Sequence, residues 1–312
     1  MTGQDGPDTP DTPESARGAD SPDRLDNAAG PAGHENAAGS GGEVGGVEPV
    51  PAAAATVFGA RLPLAVQYSE LLVTAGVERG LIGPRETGRL WERHLLNCAV
   101  LAEAVPAAAP DTAGSPGRPP EVVDVGSGAG LPGIPLALAR PDLRVTLLEP
   151  MDRRCRFLSE VVAQLGLDEQ VTVVRGRAPD FADLPPRRVF DVSVARAVAP
   201  LARLGAVLLP MTRPGGVMLA LRGSRILEEL QAARSDLDSQ GWREVDVVTC
   251  GAGLVEEPTR LLRAVRSRSS ARGDGGRGRR GADDRQARRT TQQRRVREGT
   301  PDRPARGRSR ST

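Results

Sequence analysis

In 312 residues, 42 basic and 40 acidic side chains leave a formal net charge of only +2, yet the charges are strongly segregated along the chain. No apolar run approaches the ~20 residues of a membrane-spanning helix, and the acidic N-terminus has neither the basic nor the apolar region of a secretory leader. The three scattered cysteines, Cys98, Cys155 and Cys250, form no C-x-x-C pair, which argues against a disulfide framework or a metal site and suits a reducing, cytoplasmic compartment.

Every fixed cation is arginine; the complete lack of lysine reads as a coding bias, because no chemical preference would empty every surface site. Residues 1–51 are free of aromatics and carry ten acids against Arg17 and Arg24, a net of minus eight. Such a segment cannot bury enough apolar surface to offset its ordering entropy, so residues 1–55 are expected to be a disordered acidic arm. Residues 266–312 reverse the bias, with sixteen arginines against five acids, and 267–312 is expected to be a disordered Arg-rich tail. The ~210 residues between suffice for one sizeable core with an appendage.

Apolar positions Leu62, Leu64, Val66, Leu71 and Leu72 ahead of Gly76 predict an amphipathic helix within 60–77. A second is predicted from Pro84 to about 105, with proline at its first position, an acid in its first turn, and Leu90, Trp91, Leu95, Cys98 and Leu101 on its apolar stripe. Residues 56–110 thus make a helical preface, and the stretch 111–120 a linker to an α/β domain at 121–266. There, EVVDVGSGAGLPG (121–133) runs a buried strand into a glycine loop, and LPGIPLALAR (131–140) continues as a helix with Pro132 in its first turn. Next come a strand over 144–149, a helix over 151–165 closed by Gly166, strands over 171–174 and 189–194, and a helix over 201–209. A turn at Pro214-Gly215-Gly216, a strand over 217–221, a helix over 225–237 and strands over 243–249 and 259–265 complete the domain. Strands alternating with helices predict right-handed parallel βαβ units with helices on both faces, and the last two strands predict an antiparallel end.

In such sheets ligands bind beyond the carboxyl ends of the strands. Gly126, Gly128 and Gly130 let the backbone take positive φ and strip away side chains that would hold a ligand off. Glu149, about twenty residues on, is placed to accept hydrogen bonds from ribose hydroxyls. Gly128-x-Gly130-x-x-Gly133 also satisfies the dinucleotide fingerprint, so NAD stays open on spacing alone. Asp124 separates the two: a carboxylate inside a buried strand requires a cationic or hydrogen-bonding partner, and the amino-acid end of S-adenosylmethionine offers an ammonium where NAD offers none.

Several blocks then coincide: RHLL (93–96), DVGSGAGLPGIPL (124–136), TLLE (146–149), RRCRFL (153–158), ARA (195–197) and LRG (221–223), with LLPMTRPGGVMLAL before the closing strands. Over about residues 64–266 the chain resembles the RsmG (GidB) family of bacterial small-subunit ribosomal RNA methyltransferases, whose members methylate guanine N7 in a loop of the decoding region. The resemblance implies a class I, Rossmann-like α/β fold with a seven-stranded methyltransferase sheet. It also implies S-adenosylmethionine as cofactor and 16S rRNA or the small ribosomal subunit as partner. By the same resemblance Gly126, Leu131, Ala178, Pro179 and Arg196 contact the cofactor, beside Asp124, Gly128, Gly130 and Glu149 from the residues themselves. Pro179 stands where the family commonly has Glu, Asn97-Cys98 where it has Asp-Ser, and Arg222-Gly223 where it has Lys-Gly.

Guanine N7 carries a free lone pair at neutral pH, so the implied reaction needs placement and no general base. Arg196 is expected to hold the base or a phosphate by a forked contact, and His94 to help dock the target nucleotide from the preface. Arg153, Arg154 and Arg156 are either a solvated face or phosphate contacts. The Arg tail is either a phosphate-binding arm or a drifted extension. Two other functions remain open at this level, a small-molecule methyltransferase and a non-catalytic RNA-binding protein on the same fold.

Overall fold

The computed structural model describes residues 48–107, 118–178, 188–196 and 199–268, all within one compact unit. Seven strands make a single sheet: β1 (Glu121–Val125), β2 (Arg144–Glu149), β3 (Val171–Arg175), β4 (Phe190–Arg196), β5 (Thr212–Leu221), β6 (Trp242–Cys250) and β7 (Thr259–Arg266). Their order is β3-β2-β1-β4-β5-β7-β6. The first five run parallel, and β7 inserts antiparallel between β5 and β6. The chain winds outward from β1 to β3, then crosses back to β4 on the other side of β1, which puts the switch point between β1 and β4.

Register aligns the ends of these strands. Val125 lies opposite Leu148, Asp124 opposite Val194, and Arg196 opposite Leu221. Gly126, Glu149, Arg196 and Arg222 therefore emerge along one edge of the sheet, although 96 residues separate the first from the last in sequence.

Alternation along the strands divides the core into two layers. Val122, Leu147, Val194 and Leu219 face one side; Val123, Leu148, Ala195 and Met218 face the other. Among the described residues the α-helical segments are α1 (Ala52–Phe58), α2 (Leu62–Leu71), α3 (Asn97–Ala99), α4 (Gly133–Ala139), α5 (Asp152–Gln164), α6 (Leu201–Leu208) and α7 (Ile226–Gln240). The first side is covered by α4, α5 and the whole preface, and the second by α6 and α7. Asp124 and Arg196 have the parity of Val122 and Val194, so both side chains belong to the layer that the preface covers.

The preface shares one core with the sheet and is no appendage. Arg61 donates to the Ala137 carbonyl at 3.1 Å and to Gln170 at 2.5 Å. Arg79 pairs with Glu160 at 2.6 Å and lies over the Phe157 ring. The acidic arm expected over 1–55 runs too far: Ala52–Phe58 is helical, Ala54 is buried, and Glu48 accepts the Trp91 N–H at 2.7 Å. A run of four alanines with high helix propensity that also buries a face supplies the reason. Residues 1–47, residues 111–117 of the linker and residues 269–312 lie outside the described residues.

Three further expectations change. The helix predicted over 84–105 is a succession of tighter and wider turns: a 3₁₀ segment at Pro84–Arg89, a π segment at Trp91–Leu96, α3, and 3₁₀ again at Val100–Ala104. The π segment buries Trp91, His94, Leu95 and Leu96, and the first three share the face that i, i+3, i+4 spacing gives a regular helix as well. Helix α4 begins at Gly133, one residue after Pro132, and the Gly133 N–H, which has no partner within the helix, is taken by Asp124. Pro214-Gly215-Gly216 does not separate two elements. It lies within β5, where pairing jumps from Phe190 opposite Thr212 to Val192 opposite Val217. Gly215 takes a φ of +79° there, and a Cβ on Gly216 would sit 2.8 Å from the Asp191 carbonyl.

Among the described residues no helix is long and apolar enough to cross a membrane. Because Trp91 is buried against Phe58 in the layer shared by preface and sheet, Trp91→Ala is expected to lower stability by about 3–5 kcal/mol. Chemical denaturation should show one transition shifted as a unit; a separate early transition of the preface would contradict a shared core.

Candidate active site

The glycine loop is held by two buried carboxylates. Asp124, wholly buried, accepts the Gly133 N–H on Oδ2 at 3.0 Å, and its Oδ1 has no partner. Its backbone carbonyl accepts the Ser127 hydroxyl at 3.0 Å. A Cβ on Gly133 would stand 2.4 Å from Leu147 and 2.8 Å from Oδ2, so only glycine lets the helix start this close to the strand. Glu149, 1% exposed, accepts the Gly128 N–H on Oε2 and the Met151 N–H on Oε1, both at 3.0 Å. Arg154 approaches the same Oε1 at 3.7 Å.

Between these anchors Gly126, Gly128 and Gly130 take φ of +74°, +59° and +100°. At Gly128 an added Cβ would meet nothing nearer than 3.9 Å, so that part of the backbone faces open space, whereas at Gly130 it would strike Ile134 at 2.5 Å. Leu131 donates its N–H to the Ser127 carbonyl at 3.0 Å and is buried. Ala178, after β3, is buried as well; Pro179 lies outside the described residues.

Across the switch point, Arg196 at the end of β4 meets the preface. Its Nη2 lies 2.8 Å from His94 Nδ1 and donates to the Arg93 carbonyl at 3.5 Å; its Nη1 donates to Cys98 Sγ at 3.5 Å. The other ring nitrogen of His94 lies 2.9 Å from Glu86. Both nitrogens of His94 are thus engaged inside the protein and the residue is 8% exposed, so the sequence expectation that it docks a nucleotide gives way to contact with Arg196. Burial and the Arg196 cation hold its pKa down to about 4, which leaves the ring neutral at pH 7. Burial pushes the Cys98 thiol up to about 11.

Two residues of this cluster escape sequence reasoning. Tyr68 is wholly buried and donates its hydroxyl to the Ala129 carbonyl at 2.8 Å, propping the glycine loop from α2. Its spacing from Leu64 and Leu72 puts it on the predicted apolar face, a signal that marked it only as core. Glu86 is the acid of the predicted first turn, and nothing local announces a partner eight residues on. Asp191 does not reach Arg196; Arg118 and Arg213 bracket it at the opposite end of β4, at 2.7–2.9 Å. Arg222 donates to the Ala199 carbonyl and lies 3.6 Å from Glu229. Of the helical arginines, Arg154 turns toward Glu149, Arg156 pairs with Asp152, and Arg153 is exposed.

The donor set fits a ligand with one cationic and one hydroxyl-bearing end. The unpartnered Oδ1 of Asp124 is an acceptor in want of a donor, Glu149 brackets the loop on the other side, and the exposed Gly128 backbone lies between. Comparison with known proteins agrees. The family model described as rRNA small subunit methyltransferase G (GidB) matches residues 61–259. A protein of Frankia alni named ribosomal RNA small subunit methyltransferase G is 65% identical over 266 residues, covering 84% of this chain and 97% of that protein. One of the same name from Streptomyces coelicolor is 53% identical over 222 residues, covering 71% of this chain and 87% of that protein.

Burial pushes the Asp124 carboxyl up to about 7, against the pull of the Gly133 hydrogen bond. The folded state therefore binds this proton more readily than the unfolded chain, so Asp124 costs stability progressively as pH rises from about 4 through 7. Asp124→Asn is expected to remove that decline, with a gain over the native chain of a few kcal/mol at pH 8 and little at pH 4. Denaturation midpoints across this range test it; parallel curves for the two proteins would refute it.

Proposed function

The chain belongs to the rRNA small subunit methyltransferase G family, and on that premise we propose that it transfers a methyl group from S-adenosylmethionine to N7 of a guanine in 16S ribosomal RNA. The observation that carries the reading is the convergence, on one sheet edge, of the orphaned Asp124 Oδ1, the open Gly128 backbone, buried Glu149 and the Arg196 guanidinium.

S-adenosylmethionine supplies an electrophilic methyl on a sulfonium. Asp124 is suited to receive its ammonium, whose charge stabilises the ionised carboxylate and offsets the burial penalty. Glu149 retains lone pairs for ribose hydroxyls after serving Gly128 and Met151. Gly126, Gly128, Gly130 and Leu131 would hold the cofactor along backbone, and Ala178 would bound its adenine side.

The protein's task is placement. Guanine N7 needs no deprotonation, so neither a general base nor a metal ion is required. Arg196 offers a planar, permanently charged fork to the guanine edge or a flanking phosphate. As the base is methylated it gains positive charge, and the protein's contribution is to exclude water and fix the attack line. The substrate is 16S rRNA or the small ribosomal subunit, which implies a cytoplasmic protein. The Arg-rich residues 267–312 supply non-specific phosphate affinity, since they contain no aromatic side chain to stack bases.

Methyl transfer to small subunits from cells lacking the gene, followed by mass-spectrometric location of the mark, tests this reading. The expected product is a single N7-methylguanine in 16S rRNA. Arg196→Ala is expected to lower kcat/KM by roughly 100-fold or more with the fold intact. Transfer to another atom or molecule would reject the substrate, and native turnover by Arg196→Ala would remove Arg196 from the mechanism.

A further inference from the structure

The side chain of Arg196 leaves β4 at an open edge, and three contacts hold it, all from the preface: His94 Nδ1, the Arg93 carbonyl and Cys98 Sγ. Of these, the 2.8 Å bond to His94 is the short one. It requires a lone pair on Nδ1, because Arg196 has only protons to give. A neutral imidazole has one lone pair, so the ring proton must sit on Nε2, and Nε2 lies 2.9 Å from Glu86. A carboxylate there fixes the tautomer by accepting that proton. The charged groups facing the ring are Glu86 and Arg93 from its own segment and Arg196 from β4. A second positive charge on the ring beside Arg196 is strongly opposed by the buried setting.

We propose that Glu86, acting through His94, is a positioning residue for Arg196: the line Glu86, His94 Nε2–H, His94 Nδ1, Arg196 Nη2 fixes the tautomer and clamps one end of the guanidinium. Among the described residues the Nε–H of Arg196 takes no protein acceptor, so the clamp leaves that donor free for an incoming acceptor. His94 lies three residues after Trp91 and four before Cys98, on the buried face of the preface, which aims it at Arg196. The proposal rests on the role of Arg196 stated above, and it accounts for a buried histidine and its acid that the methyl transfer itself does not use.

Two measurements on the full chain decide it. The chain has two histidines, so a His34→Gln variant isolates the ring signals of His94 in ¹⁵N NMR. The expected spectrum is a neutral ring protonated on Nε2 and unchanged from pH 8 to pH 6. A ring protonated on Nδ1, or one gaining its second proton within that range, overturns the proposal without touching the function of Arg196. Kinetics on small ribosomal subunits then give the coupling. Glu86→Ala is expected to lower kcat about tenfold with KM for S-adenosylmethionine within about twofold, while Glu86→Gln, whose amide oxygen can still accept from Nε2, stays within about threefold. In an Arg196→Ala background Glu86→Ala should cost less than about twofold more. Equal losses for Glu86→Ala and Glu86→Gln, or full additivity with Arg196→Ala, would sink the positioning role. A fully active Arg196→Ala would instead remove the reading on which it rests.

Discussion

The geometry at the switch point depends on carboxylates buried against backbone amides. Asp124 pulls the Gly133 N–H to the end of β1 and Glu149 pulls the Gly128 N–H to the end of β2. Each bond takes a charged acceptor out of water, at a cost that only a charge-assisted hydrogen bond in fixed geometry offsets. The two bonds define where the glycine loop passes, and the glycines' positive φ angles are the backbone's adjustment to that path. Asp124 is the less satisfied of the pair. Its second oxygen has no partner, and burial raises its proton affinity accordingly. Under the proposed function an ammonium at this oxygen would relieve a penalty that folding alone leaves in place.

The preface completes what the sheet begins. On one side of the switch point Tyr68 donates to Ala129 and stiffens the loop; on the other Glu86 and His94 reach Arg196. Both sets of contacts fall in the core layer containing Trp91, Leu95 and the inward residues of β1 and β4. The site thus lies between two segments that fold as one core. The preface touches Arg196 directly, through the 2.8 Å contact with His94, without an intervening loop.

Charge is distributed on the same plan. Arginines beside the amino end of β4 neutralise Asp191 and are structural, whereas Arg196 at the carboxyl end makes no ion pair among the described residues and makes its short bond to a neutral ring. A cation paired to a carboxylate is largely spent, while one held by a neutral acceptor keeps its field for the substrate. The difference between the two ends of one strand separates an arginine that stabilises the sheet from one that can act on an anionic polymer.

Local pattern in the chain determined the strands, the glycine loop and the acid at the end of β2. These depend on alternation, on positive φ and on a spacing of about twenty residues, all properties of contiguous sequence. The parity of Asp124 within its strand was legible too, and with it the need for a partner. Only the tertiary structure decided who the partners are. Gly133 satisfies one oxygen of Asp124 where the start of α4 meets the end of β1, and the buried face of the preface carries His94 to Arg196. Arg196 finds that ring 102 residues away, across a sheet edge that no periodicity encodes. Sequence determines which residues can donate, accept or turn; which of them meet follows from packing two layers onto one sheet, and that is a property of the whole chain.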